Sequence, residues 1–135
     1  MSGSRWIFAM VAVLAMGAAC SGDSTGGDAQ PGVLTVRLTT PRGDDGAMTF
    51  EVSGPAIDSV IVVDASLRLF TRRDGTGGST VSGVVVGALA DGTVLTLHVP
   101  DVGAAAGYTA RVLEVADRQN ALRASLAGYA LTVAP

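Results

Sequence analysis

The chain has 135 residues with nine Arg, no Lys, twelve Asp plus Glu, one His and one Cys, for a formal net charge of -3; that is enough for one domain with a modest core. A weakly acidic chain without a basic cluster lacks the cations that neutralise backbone phosphates, which argues against nucleic acid as a partner. One His and one Cys are too few for a zinc centre and leave no cysteine pair for an internal disulfide.

The chain opens on an apolar segment. Met1 to Arg5 is short and carries one Arg, Trp6 to Met16 is an uninterrupted apolar run of eleven, and small residues Gly17, Ala18 and Ala19 precede Cys20. Eleven residues cannot cross a hydrocarbon core of about 30 Å as a helix, which takes roughly 20, but they suit the core of a signal peptide. Gly17-Ala18-Ala19-Cys20 resembles the lipobox of bacterial lipoprotein precursors, departing from it at Gly17, where Leu is commoner. The resemblance implies cleavage after residue 19 and diacylglycerol on Cys20. It also implies an exported protein held at the cell envelope. Two acyl chains of roughly fourteen methylenes, at about 0.8 kcal/mol per methylene, give on the order of 20 kcal/mol of anchoring. Ser21 after the Cys resembles the sorting preference for the outer membrane in some Gram-negative bacteria.

Residues 20–32 read as the lipidated Cys and a flexible linker. Ser21 to Gly32 (SGDSTGGDAQPG) has no large apolar residue, and such a segment spans about 20 Å on average and about 40 Å when straight.

The domain is expected over 33–135, where Val, Ile and Thr supply 29 of 103 residues, the β-branched composition of a pleated, half-buried surface. Leu34, Val36 and Leu38 alternate with Thr35, Arg37 and Thr39, and Met48, Phe50 and Val52 alternate with Thr49, Glu51 and Ser53; a period of two predicts strands with one buried face. Further strands are predicted at Val60 to Val63, Leu67 to Arg72, Val81 to Leu89, Val94 to Val99, Tyr108 to Val115 and Tyr129 to Val133. Asp44-Asp45-Gly46 and Ser53-Gly54-Pro55 read as turns, and Asp91-Gly92 as a hairpin between two strands. Asp117 to Ala127 is open between a short helix, with Leu122 and Leu126 four apart and Gly128 as its cap, and a strand with a bend. About eight short strands without intervening helices predict an all-β, antiparallel two-sheet sandwich. In architecture alone this is similar to immunoglobulin-like and cohesin-like modules of bacterial surface proteins.

Candidate chemistry is sparse. His98 falls on the face opposite Leu95, Leu97 and Val99, and no nucleophile elbow accompanies it, so no catalytic residue, metal or cofactor is expected. Asp44, Asp45, Asp74, Asp91 and Asp101 lie where turns favour Asp, without the ladder of a calcium loop. Arg42-Gly43-Asp44 spells an adhesive tripeptide at a predicted strand connection, and turn chemistry alone explains it. Gly75-Thr76-Gly77-Gly78 lacks the Lys and helix of a phosphate cradle. Phe50, Phe70, Tyr108 and Tyr129 are expected in the core. The expected function is a non-catalytic binding, assembly or structural role at the envelope, with an envelope protein or polysaccharide as partner. The contact loops would hold Arg42, Gly43 and Asp44, and Asp74 and Gly75, because loops at the ends of a sandwich carry variable contacts. The alternatives are an accessory carbohydrate-binding module using Tyr108 or Tyr129, or a weak hydrolase built on His98.

Overall fold

A computed structural model describes residues 27–74 and 79–135. Cys20, the apolar segment before it, most of the linker and Gly75 lie outside the described residues.

Eight strands form in chain order: β1 Gly32–Thr39, β2 Asp45–Ser53, β3 Ser59–Val62, β4 Arg68–Asp74, β5 Thr80–Val86, β6 Gly92–Val99, β7 Thr109–Asp117 and β8 Ala130–Ala134. They pair antiparallel in two four-stranded sheets, β3-β6-β1-β8 and β4-β5-β2-β7. Of consecutive strands, only β4 and β5 share a sheet; every other step passes from one sheet to the other. Each such step is a loop at one end of the sandwich, so the topology itself generates two loop-rich ends.

The alternation read from sequence sets the packing. Leu34, Val36 and Leu38 of β1 face Met48, Phe50 and Val52 of β2 across the core, and all six are buried. Gly83 makes room for the largest of them. A Cβ there would lie 2.7 Å from the Phe50 ring and 2.8 Å from the Phe70 carbonyl, so only glycine lets the ring seat against β5. Tyr108 is also buried, its hydroxyl donating to the Ala56 carbonyl.

Four expectations are corrected. Asp91-Gly92 does not turn a hairpin, because β5 and β6 lie in different sheets. Gly92 takes φ 132 and Asp91 accepts from the Thr40 backbone N–H at 2.6 Å, joining two loops. Phe70 is 62% exposed: Leu67 and Leu69 take the inward parity of that segment and push Phe70 to the opposite face. Asp117 closes β7, and residues 118–127 beyond it form neither helix nor strand. Asp117 accepts from the Gln119 and Ala121 backbone N–H groups, Asn120 adopts φ 66, and an isolated bridge joins Ala116 to Leu122, a side-chain-held turn that competes with helix. Asp45 is no turn residue; it opens β2 and is fully buried. One element was not anticipated, a short 3-10 turn at Val102–Gly107 with Asp101 as its cap. Gln30 is already tied to it, donating to Asp101 and accepting from Val102.

Gly83→Val should destabilise the domain by about 2 kcal/mol, since the added atoms meet a ring and a backbone carbonyl rather than a flexible side chain. Urea denaturation followed by tryptophan-independent far-UV circular dichroism measures it. A midpoint equal to wild type would show that the core is not packed around this residue.

Candidate functional site

Strand directions give the sandwich a polarity. β1 starts at Gly32 opposite Val99 and runs to Thr39. The end where the chain enters therefore carries the start of β1, the 54–58 segment, the 3-10 turn, the end of β4 and the start of β5. The far end carries 40–44, 63–67, 87–91 and 118–129. The two candidate contact loops are thereby separated: Arg42, Gly43 and Asp44 lie at the far end, and Asp74, paired with Thr80, lies at the entry end.

The far end is organised by Asp45. A register shift between Asp45 and Ala47 places Gly46 as an extra residue, and the bulge reverses the side-chain parity of β2. Asp45 consequently points inward, its side chain 1% exposed. A buried carboxylate must be fully partnered, and it is. Thr40 Oγ1 donates to Oδ2 at 2.5 Å. Tyr129 Oη donates to Oδ1 at 2.9 Å, and Arg123 donates to the same oxygen from Nε at 3.1 Å and from Nη2 at 2.9 Å. Arg123 Nη2 also reaches Asp44 Oδ1 at 2.5 Å, while Nη1 stands 3.9 Å from Asp117 Oδ2.

Backbone bonds extend the network. Leu89 N–H donates to the Asp45 carbonyl at 3.1 Å, Gly87 N–H to the Gly46 carbonyl at 2.9 Å, and Arg118 N–H to the Asp44 carbonyl at 3.0 Å. Three connections, 40–44, 87–91 and 118–129, thus converge on two consecutive residues. Burial alone would push the Asp45 carboxyl up; the donors Thr40, Arg123 and Tyr129 outweigh it and hold the group below the usual carboxylate range. Asp117 is likewise lowered, chiefly by the Ala121 and Gln119 backbone N–H groups. The Asp45 hydrogen bond raises Arg123 further above its already high value.

Beside this network, Pro41 and Arg42 on one side and Arg123, Ala124, Ser125, Ala127 and Tyr129 on the other enclose a cleft of about 320 Å³. The Arg42 side chain is exposed and has no hydrogen-bond or ion-pair partner among the described residues. The Asp44 carboxylate, by contrast, is held by Arg123, so the Arg42-Gly43-Asp44 tripeptide does not present its acid freely. Sequence reasoning missed Arg123 and Tyr129 as members of this site, because nothing in their spacing from Asp45 announces a contact across some eighty residues.

The remaining candidates stand apart. His98 is exposed on the outer face of the other sheet, between Val33 and Ser59 in register. Asp74 accepts from Ser82 Oγ at 2.5 Å and Arg72 Nε at 2.9 Å; these bonds lower its carboxyl. Among the described residues no group of three His, Cys, Asp or Glu is placed to hold a metal. No protein-family profile, curated protein or solved structure matches the chain.

A carboxyl depressed in the folded state stabilises fully above its unfolded value, near about 4, and that stability is lost as pH falls through the folded value. Stability should therefore stay level from neutral pH to about 5 and fall below about 4, and Asp45→Asn should flatten the fall. Asp45→Ala should cost about 2 kcal/mol, less than a typical broken buried pair because Arg123 keeps Asp44. Denaturation midpoints measured across the pH range check both; an acid limb unchanged in Asp45→Asn would show that other carboxyls carry it.

Proposed function

We propose that the chain is a non-catalytic binding module of a bacterial cell envelope, exported and anchored by lipid on Cys20, that captures an envelope protein or polysaccharide with the loop end built on Asp45. The observation that carries this reading is the polarity of the sandwich: the chain enters at one end, and the stapled 40–44 and 118–129 connections with their cleft lie at the other. A domain tethered through residues 20–29 would hold that end away from the membrane. Loops fixed by a buried charge network also lose little freedom on binding, which favours affinity. Asp74 lies at the end where the chain enters and is the weaker candidate for contact; Gly75 lies outside the described residues.

The carbohydrate alternative would use tyrosines that are otherwise engaged, Tyr108 in the core and Tyr129 on Asp45. A hydrolase would need polar groups convergent on His98, whose register neighbours are Val33 and Ser59.

Cys20→Ser should move the protein from the detergent phase to the aqueous phase and abolish palmitate labelling; unchanged partitioning would refute the anchor. In pull-downs from the native envelope, Arg42→Glu combined with Ser125→Arg should weaken capture by more than about tenfold, while His98→Ala and Asp74→Asn stay within about threefold. Loss on His98→Ala with the loop variant unaffected would instead favour the hydrolase.

A further inference from the structure

The outer face of the β4-β5-β2-β7 sheet is the largest feature that the reading above does not use. Its side chains stand in register across all four strands. One row runs Arg68, Val86, Ala47, Ala116 and, through the isolated bridge, Leu122; the next runs Phe70, Val84, Thr49 and Glu114. Phe70 is 62% exposed and Leu122 68%, at opposite edges of the sheet, with Val86 at 40% between them. The next row, Arg72, Ser82, Glu51 and Arg111, is polar and its cations are paired, Arg111 with Glu51 at 2.8 Å within the row and Arg72 with Asp74 of the row beyond at 2.9 Å.

We propose that this face is a self-association surface, covered by the same face of a second copy of the chain related by a twofold axis parallel to the strands. Such an axis lays β4 of each copy over β7 of the other. Two features of the face are self-complementary under that operation.

The first is shape. Phe70 projects from β4, while between β5 and β7 lies a depression of about 150 Å³ walled by Ala47, Thr49, Val84, Glu114, Ala116 and Leu122. A space of that order accepts a benzene ring, and the operation carries Phe70 of each copy over the depression of its partner. The second is charge. Arg68 on β4 has no ion-pair partner among the described residues, and Glu114 on β7 has only a 3.5 Å bond from Thr49 Oγ1. Among the described residues they are the charges of this face without an ion-pair partner, opposite in sign and at opposite edges; the axis keeps the rows aligned, so it lays each Arg68 over Ala116 of the other copy, one row from that copy's Glu114, and does so twice. The alternative axis, perpendicular to the strands, would stack β4 on β4 and set Arg68 and Arg72 against their own copies.

The size of the face fixes the strength. Four strands spaced about 4.8 Å apart and seven residues long cover roughly 400 Å² of each copy in projection, below the standard specific interface and in the range of weak, transient contacts. The contact is accordingly weak in dilute solution and is populated where copies are concentrated. Confinement to a membrane by the proposed anchor would supply that concentration, but the contact itself does not depend on the lipid.

Sedimentation velocity of the full-length protein in detergent, from micromolar to low-millimolar concentration, tests this whether or not Cys20 is lipidated, so a failed partitioning experiment leaves the result readable. The expected result is a monomer–dimer equilibrium that Phe70→Asp weakens by more than about tenfold, and Arg68→Glu or Glu114→Arg each by about tenfold. The double variant Arg68→Glu/Glu114→Arg should return to within about threefold of wild type, a rescue that loss of folding cannot produce. All these side chains are surface-exposed or half-exposed, and circular dichroism verifies that each variant is folded. A protein that stays monomeric throughout, a dimer indifferent to Phe70→Asp, or a double variant no better than the single ones would overturn the proposal. Binding of the monomer to anionic vesicles that Phe70→Asp abolishes would also overturn it, reassigning the face to lipid.

Discussion

A single buried carboxylate governs one end of this protein. Asp45 sits where the first residue of β2 would ordinarily turn toward solvent, and its burial is tolerable only because Thr40, Arg123 and Tyr129 all donate to it. Those donors come from both sides of the sandwich, two of them from the connection between β7 and β8. Removing the charge takes from Arg123 and from the Thr40 and Tyr129 hydroxyls their shared acceptor and leaves Arg123 with Asp44 as its close partner, whereas removing any one donor leaves an under-paired anion. The geometry of the far loops is thus one cooperative unit rather than three independent turns, and the cleft between Pro41 and Ser125 exists because of it.

The topology explains why such a staple is needed. With all but one pair of consecutive strands in opposite sheets, the two sheets are linked mainly through their ends, and the hydrophobic core itself specifies little about loop conformation. At the entry end the same task is done differently: Tyr108 packs on the backbone at Gly54 and donates to Ala56, Arg73 donates to the Ile57 and Asp58 carbonyls, and Asp101 caps the 3-10 turn. The contacts at that end are local and solvent-accessible, Asp101 being half-exposed, whereas the far end is built on a fully buried carboxylate. The two ends of the sandwich therefore differ in chemistry as well as in position.

Much of the fold was legible from local pattern and much of the site was not. Alternation at Leu34 to Leu38 and Met48 to Val52 located both central strands and their buried faces, since a period of two is a local property. Asp45 was misread as a turn because Asp-Asp-Gly favours turns; the bulge at Gly46 that turns its side chain inward arises from pairing with β7, a contact no local window contains. Phe70 was expected in the core for its size, yet Leu67 and Leu69 already showed the inward parity, so that error lay in weighting composition over period. Asp91-Gly92 has hairpin chemistry but joins strands of different sheets, a topological fact. Arg123 carried no signal and Tyr129 was read only as a strand and core residue: contacts between residues some eighty apart in the chain are invisible until the sheets are assembled.

Amide hydrogen exchange in wild type and Asp45→Asn, resolved by peptide, tests the central role of this residue most directly. The account predicts that exchange accelerates together in residues 40–44, 87–91 and 118–129 while β1, β6 and the 54–58 segment keep their protection. Unchanged exchange in those three connections, or an equal loss of protection across both ends of the sandwich, would contradict it.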